Sequence, residues 1–207
     1  MIHVQAQIEP TDFDARVRQP GKRWLAQNAH RATISGRDFP NIWRNCREEL
    51  RTAFHGICAY TASFIAREYG PSIETVDHFI PKAKVRDFAY EWSNFRFCNP
   101  RVNENKSDSE SVMDPFFIQN GWFTIDFTTF NIRPNHSLPE LQRHRVQDTI
   151  DALKLNDDDR IVQARVERIK EYARGDISFD YLTRKYPFLA MELTRQGLLE
   201  QIKGMIR

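Results

Sequence analysis

Two short β-prone runs, separated by a long loop, constrain the fold of this chain most strongly. Residues 73–79 read Ile-Glu-Thr-Val-Asp-His-Phe, and residues 94–97 form a second strand candidate. Pro81 and the polar, aromatic stretch 82–93 lie between the two runs and favour a loop. The sequence therefore predicts a two-stranded hairpin with a long loop, followed by a short helix that begins near Val102.

A helical pattern precedes the hairpin. Pro40 suits the first turn of a helix, and apolar residues then recur every four positions, which predicts one buried helix face. These apolar residues are Ile42, Cys46, Leu50 and Phe54. Residues 11–38 alternate charged residues with turn formers such as Pro20-Gly21 and Ser35-Gly36, so we predict an irregular arm there, with one short helix near residues 24–30.

The chain after the hairpin is predicted to be mainly helical. Aromatic residues between 116 and 130 indicate extra strands or packing loops, whereas residues 161–172 and 187–206 have near-helical apolar spacing, with Gly175 as a stop. We therefore predict an α+β fold. The predicted regions, packed as one compact unit, are an N-terminal arm and helix (1–50), a central core (51–120) and a mainly helical C-terminal region (121–207).

The basic residues are unevenly distributed. The net charge of +2 gives weak support for a nucleic-acid partner, but residues 14–51 contain nine basic and four acidic residues. Arg44, Arg47 and Arg51 recur at helical spacing and would form a stripe beside the apolar face. Such a stripe can bind a phosphate backbone or serve as a solvated surface, and composition leaves both interpretations open.

The cysteines and the hydropathy pattern indicate the cellular compartment of the protein. Cys46, Cys58 and Cys98 are odd in number and widely spaced, and the first residues lack the basic start and apolar run of a signal peptide. No apolar run reaches the length of about 18 residues that a membrane span needs. We expect reduced thiols, a cytoplasmic location and no membrane partner.

Asp77 and His78 are the first candidates for chemistry. A carboxylate is a preferred ligand of hard divalent cations, and a neutral histidine, with an ordinary pKa of about 6.5, can accept a proton from an attacking water. Asn103 and Lys106 are three residues apart and would share a helix face. Each feature alone is common in structural roles, so their order and spacing carry the argument.

That order resembles the HNH, or ββα-metal, endonuclease family. The similar segments lie between residues 58 and 106: Cys58-Ala59-Tyr60, Val76-Asp77-His78-Phe79-Ile80-Pro81-Lys82, Tyr90-Glu91-Trp92-Ser93-Asn94 and Asn103-Glu104-Asn105-Lys106. They are especially similar to HNH nuclease subunits of bacterial anti-phage defence systems of the Septu type. The resemblance implies a ββα-metal core, a hairpin plus a helix, within residues 51–120 of a mainly helical chain.

The resemblance also implies a role for each matching residue. His78 would be the general base, Asp77 and Asn103 would hold the metal, Asn94 would brace the loop that orients His78, and Lys106 would lie near the phosphate. We further expect nucleic acid to contact the basic residues Lys82, Arg101, Arg44, Arg47 and Arg51.

The metal is expected to be Mg²⁺, with Mn²⁺ as the alternative. Ser107 stands where some members place a further histidine ligand, so two protein ligands remain, and water or phosphate would complete the shell. Many relatives also bind a structural zinc through two cysteine pairs. Here the chain reads Cys58-Ala59-Tyr60-Thr61 and has Val102 before Asn103. We therefore expect no structural zinc and a core held by Phe79, Trp92, Phe95 and Phe97.

The predicted function is metal-dependent hydrolysis of DNA phosphodiester bonds. The resemblance implies a defence role with an ATPase subunit as partner. From the size of the flanking regions we further expect that the C-terminal helices dock a partner subunit, a second copy of the chain, or both. Two alternatives stay open: an RNA-cleaving toxin, and a non-catalytic nucleic-acid-binding or protein-binding module on an HNH scaffold. Retention of Asp77, His78, Asn94 and Asn103 in order favours catalysis.

Overall fold

A computed structural model of the chain describes residues 1–67 and 75–205, and within them the fold is mixed α+β. The described residues form eight α-helices and two antiparallel two-stranded sheets. The strands are β1 (Thr75–His78), β2 (Phe95–Cys98), β3 (Phe123–Ile125) and β4 (Ile132–Pro134). The helices are α1 (Gln19–Gln27), α2 (Arg47–Ala53), α3 (Pro100–Lys106), α4 (Glu140–Ala152), α5 (Asp159–Arg174), α6 (Phe179–Lys185), α7 (Pro187–Arg195) and α8 (Gln201–Met205).

The chain divides into two compact units. One comprises Met1–Val4, Tyr60–Phe64 and Ser111–Arg207, and the other comprises Gln5–Ala59 and Ile65–Glu110. The boundary at residue 110 differs from the predicted boundary at residue 120, and two short earlier segments belong with the C-terminal region. All the residues predicted for the site belong to the unit made of Gln5–Ala59 and Ile65–Glu110, called here the hairpin unit.

The hairpin unit contains the predicted hairpin and helix. β1 pairs with β2 in antiparallel register, with Val76 opposite Phe97 and His78 opposite Phe95. Residues 73 and 74 of the predicted first strand lie outside the described residues, and the second strand begins one residue later than predicted. The prediction of two short paired strands is confirmed.

Helix α3 follows β2 after a single residue. The Asn99 side chain accepts a hydrogen bond from the Arg101 backbone N–H, and Pro100 occupies the first helical turn. Both features favour helix initiation, which explains why α3 starts two residues before the predicted Val102. The helix ends at Ser107, whose φ of 46° is unfavourable for a residue with a side chain.

The N-terminal arm is more helical than predicted. A π-helical turn (Asp14–Arg18) leads directly into α1, whereas the sequence predicted an irregular arm with a helix near residues 24–30. Pro20 lies in the first turn of α1, directly after the π-helical turn, and its fixed φ of about −65° is compatible with a helical backbone. We interpreted Pro20-Gly21 as a turn, and that interpretation was wrong.

Aromatic packing explains the glycine in α1. Gly21 is buried, and a Cβ atom placed on it would overlap the ring of Tyr90, which is itself 1% exposed. The phenol ring therefore packs directly on the helix backbone. A glycine in this helix is a packing requirement rather than a turn signal.

The predicted apolar helix before the hairpin is confirmed with one difference. A 3₁₀ helix (Ile42–Cys46) precedes α2, and together they cover the predicted span. Cys46, Leu50 and Phe54 are buried, as the four-residue spacing predicted. Cys58 and Cys98 are also buried, and both are free thiols.

The other unit carries β3, β4 and helices α4 to α8. The predicted stop at Gly175 is confirmed, because this residue has a φ of 84° and caps the C-terminus of α5. The predicted helix over residues 187–206 consists of two helices, α7 and α8, and residue 206 lies outside the described residues. Among the described residues, no helix has the length and apolar character needed to cross a membrane.

The contact between α1 and Tyr90 gives a stability prediction. Replacing a helical glycine with alanine usually stabilises by about 1 kcal/mol, but Gly21→Ala should destabilise by about 1–3 kcal/mol because the new methyl group overlaps the Tyr90 ring. Urea denaturation measures the difference. The matched control is Gly204→Ala in α8, where no atom lies within 4 Å of the added Cβ. A destabilisation in both variants would contradict this account.

Candidate functional site

Four of the predicted site residues line one cavity in the hairpin unit: Asp77, His78, Lys82 and Asn103. The cavity has a volume of about 430 Å³, within the range of roughly 300–1,000 Å³ that is usual for small-molecule sites. Three segments contribute to it: a loop of the N-terminal arm, β1 with the loop that follows it, and the end of α3. The lining residues are Ser35, Gly36, Arg37, Val76, Asp77, His78, Pro81, Lys82, Asn103, Ser107 and Asp108.

His78 is held in one tautomer by the loop after β1. Its Nε2 lies 2.9 Å from the carbonyl oxygen of Ala89. A carbonyl oxygen can only accept a hydrogen bond, so Nε2 carries the proton and Nδ1 is left with the lone pair. The ring packs edge-on against Trp43 and Phe95, at centroid distances of 4.6 and 5.2 Å, which restrict its rotation.

Burial keeps His78 neutral. Only 8% of the residue is exposed, and this burial, followed by the nearby charge of Lys82, lowers the pKa of His78 from 6.5 to about 3. The hydrogen bond to Ala89 raises the pKa, and the Lys106 ammonium lowers it, but burial remains the largest cause. At neutral pH the imidazole is therefore an uncharged proton acceptor at Nδ1.

Asn94 braces both ends of the loop that carries Ala89. Its Oδ1 accepts a hydrogen bond of 2.7 Å from the Ile80 N–H, and its Nδ2 donates to the carbonyl oxygens of Ile80 and Phe88, at 3.0 Å each. The side chain lies behind the cavity rather than in its lining, and the residue is 3% exposed. Asn94 thus has the contacts of a positioning residue, since Phe88 precedes the carbonyl that holds His78.

Lys106 lies in a different place from the one predicted. It is fully buried, and its Nζ lies 3.2 Å from Asp77 Oδ1, 3.2 Å from the His78 carbonyl oxygen and 3.1 Å from the Phe79 carbonyl oxygen. An ammonium has three N–H donors, and these three acceptors account for all of them. A contact between Lys106 and a phosphate would require one of these bonds to break, so the residue is a structural link between α3 and β1.

Asp77 and Asn103 both line the cavity and offer the oxygen donors that a hard cation prefers. The donor set therefore fits Mg²⁺ or Mn²⁺, with the remaining positions left to water and phosphate. Within the described residues no group of three or more His, Cys, Asp or Glu side chains is arranged to hold a metal ion. Because Lys106 already neutralises the Asp77 carboxylate, we expect these two ligands to bind the cation weakly on their own.

Lys82 is the predicted nucleic-acid contact that lines the cavity. Its Nζ lies 4.1 Å from the centre of the Trp43 ring, the same ring that packs against His78. Burial lowers the pKa of Lys82, whereas Asp108 and Asp77 raise it. Among the described residues, no carboxylate lies within ion-pair distance of this ammonium. Its charge is therefore available to an anion that enters the cavity.

The other predicted nucleic-acid contacts lie outside the cavity lining. Arg101 is exposed and forms an ion pair of 3.1 Å with Glu104. Arg51 donates a hydrogen bond to the Ile65 carbonyl oxygen and packs over the Phe97 ring, so part of the predicted arginine stripe is structural. Arg44 is exposed and Arg47 is half-buried. The structure brings none of these four arginines to His78.

Sequence reasoning missed four residues of the cavity: Ser35, Gly36, Arg37 and Asp108. The first three belong to the arm that we interpreted as irregular, and only its excess of basic residues indicated a role. Asp108 lies just after α3, two residues beyond Lys106. Of the predicted aromatic core, Trp92, Phe95 and Phe97 are buried, whereas Phe79 is half-buried and packs against Arg96 and Lys106.

Comparison with known proteins adds no relative to this geometry. No protein-family profile matches the chain, and no curated protein matches it significantly.

The buried ion pair gives a second stability prediction. Lys106→Met should lower the free energy of unfolding by about 3–5 kcal/mol, because it removes the ammonium that compensates the buried Asp77 carboxylate. Adding Asp77→Asn should restore most of the loss, since no buried charge then remains. The control is Lys84→Met, which breaks an exposed pair with Glu110 and should cost under about 1 kcal/mol. Urea denaturation measures both losses. Equal losses in the Lys106 and Lys84 variants would refute the structural role of Lys106.

The depressed pKa of His78 gives a pH prediction. The unfolded chain binds a proton at this residue below pH 6.5, whereas the folded protein does so only near pH 3. Stability from this residue is therefore complete above pH 6.5 and is lost as the pH falls towards 3. Relative to His78→Gln, wild-type stability should fall by up to about 1.4 kcal/mol per pH unit in that window. Parallel stability curves for the two proteins in urea would contradict the prediction.

Proposed function

We propose that this protein is a metal-dependent endonuclease of the HNH type that hydrolyses phosphodiester bonds in DNA. In this proposal β1, β2 and α3 form the ββα-metal core. The single observation that carries it is the state of His78, a neutral imidazole with its Nε2 proton fixed on Ala89, in one cavity with Asp77 and Asn103. A general base needs this combination of a fixed tautomer and a free lone pair.

Each residue of the cavity has a defined part in the proposed reaction. Nδ1 of His78 accepts the proton of the attacking water. Lys82 binds a non-bridging phosphate oxygen, because its ammonium lies in the cavity lining without a carboxylate partner. The negative phosphate beside the ring also raises the pKa of His78 from its low value in the free protein, which makes it a better proton acceptor.

Asp77 and Asn103 would hold Mg²⁺ or Mn²⁺. When bound, the ion supplies positive charge that stabilises the charge developing on the phosphate and on the leaving oxygen. Lys106 and Asn94 act through other residues: Lys106 fixes the Asp77 carboxylate and the end of β1, and Asn94 fixes the loop that orients His78. We expect products with a 5′ phosphate.

The proposal includes a biological setting, supported by the resemblance in residues 58–106. The nuclease works in a bacterial anti-phage defence system, beside an ATPase subunit or as a homo-oligomer. Recognition of the correct target would then come from the partner, because the basic residues outside the cavity are partly engaged in structural contacts.

Cleavage of supercoiled plasmid tests the proposed reaction. Wild-type protein should nick or linearise DNA with Mg²⁺ or Mn²⁺ and lose this activity in a chelator. His78→Ala should reduce the rate by about 10²–10⁴-fold, the usual contribution of a general base. His30→Ala is the matched control, since His30 is exposed and outside the cavity lining.

The outcomes separate the proposal from its alternatives. Activity that persists in the chelator and in His78→Ala would disprove the mechanism. An RNA substrate incubated in parallel distinguishes a ribonuclease, which would cut the RNA and leave the plasmid intact. Specific binding of DNA without cleavage, with and without the purified partner, would favour a binding module.

A further inference from the structure

We propose that Arg37 is a second phosphate-binding residue of the cavity and that it holds a backbone phosphate at the rim, next to the one bound by Lys82. This inference rests on the proposed function, because it takes a nucleic-acid strand as the ligand. It adds the arm loop, residues 35–37, to the substrate-binding surface.

The arm loop is fixed against the rest of the hairpin unit. The Arg86 guanidinium donates hydrogen bonds of 2.9 and 2.7 Å to the carbonyl oxygens of Arg31 and Ala32. Ile34 and Phe39, on either side of the loop, are 4% and 2% exposed. The loop is thus anchored at both ends by buried side chains and by backbone contacts.

A turn within the anchored segment directs the loop to the cavity. The Asp38 N–H donates to the Ser35 carbonyl oxygen at 2.9 Å, and the Asp38 carboxylate forms an ion pair of 2.8 Å with Arg31. A Cβ atom placed on Gly36 would lie 3.9 Å from Cε of Lys82, so the loop lies along the Lys82 side chain. Arg37 follows immediately and lines the cavity.

The positive charge of Arg37 is available to a ligand. Asp38 pairs with Arg31 rather than with Arg37, and in the described part of the chain no carboxylate lies within ion-pair distance of the Arg37 guanidinium. Arg37 and Lys82 therefore place two cations without an ion-pair partner on the lining of one cavity, where Lys106 compensates Asp77 and Asp108 is the remaining carboxylate, so one positive charge is left in excess.

The chemistry of the guanidinium favours a phosphate as its ligand. Its planar fork can donate two parallel hydrogen bonds to the oxygens of one phosphate, which a lysine cannot do. Because the loop is anchored at both ends, the backbone of the exposed Arg37 is held at the edge of the cavity. The geometry therefore indicates a positioned contact with the strand that crosses the cavity.

Fluorescence anisotropy with a short fluorescein-labelled DNA duplex tests the inference. The protein is titrated in EDTA, so that binding is measured without cleavage, and the salt concentration is varied. Arg37→Ala should weaken binding roughly tenfold, the effect of losing one charged hydrogen-bonded contact. The slope of log K against log salt should become shallower by about 0.9, the value for one phosphate contact.

Two further variants identify the cause of any loss. Arg23→Ala removes the same charge from an exposed position in α1 outside the cavity lining, and it should bind nearly as wild type does. Arg37→Lys keeps the charge without the fork, so it should recover the salt slope and only part of the affinity. Far-UV circular dichroism checks that each variant is folded.

Each result supports or overturns the inference. Equal binding by Arg37→Ala and Arg23→Ala, or no binding of the duplex by the wild type, overturns it. The plasmid assay with His78→Ala decides the proposed function separately. If the protein cleaves DNA equally well with and without the Arg37 side chain, the nuclease proposal stands and the Arg37 contact is disproved. If binding depends on Arg37 but the protein does not cleave, the Arg37 contact stands and the nuclease proposal is disproved.

Discussion

The buried ion pair between Lys106 and Asp77 is the interaction on which the candidate site depends. It joins the last residue of α3 to β1, and the same ammonium also binds the carbonyl oxygens of His78 and Phe79. One side chain therefore sets the position of the carboxylate, the backbone of the base and the start of the loop. A charge buried this completely is tolerated only with its partners in place, which makes the local geometry close to all-or-none.

The pair also sets the electrostatics of the cavity. Two cations, Arg37 and Lys82, and two carboxylates, Asp77 and Asp108, line the cavity and would balance one another. The Lys106 ammonium beside Asp77 adds one positive charge, so the cavity favours an anion. In the proposed reaction, the phosphodiester would bring the negative charge that a divalent cation needs. Substrate and metal are then expected to bind with positive coupling, each improving the affinity for the other.

The sequence predicted local features better than tertiary ones. The hairpin, α2 and the stop at Gly175 follow from turn residues and from apolar spacing, which are readable within a few residues. The prediction failed at α1, where Pro20-Gly21 has the composition of a turn and only the distant Tyr90 ring explains the glycine. Local signals carry no information about such a partner.

For the site, too, local features were predicted better than tertiary ones. Asp77, His78 and Asn103 were identified from their order and lie in one cavity, but Lys106, which the resemblance placed near the phosphate, is fully buried. Arg37 was missed because nothing in the spacing connects the arm to β1. The burial of Lys106 and the position of Arg37 beside β1 both result from contacts between segments that are distant in sequence. Short-range periodicity does not report such contacts.

The hydrogen bond from His78 to Ala89 has a consequence for mutational scanning. The acceptor is a backbone oxygen, so no substitution at position 89 removes it directly. Ala89 is fully buried, however, so a larger side chain there would overpack the loop and shift this oxygen. The effect of a substitution at position 89 on His78 should therefore follow the size of the new side chain rather than its hydrogen-bonding groups.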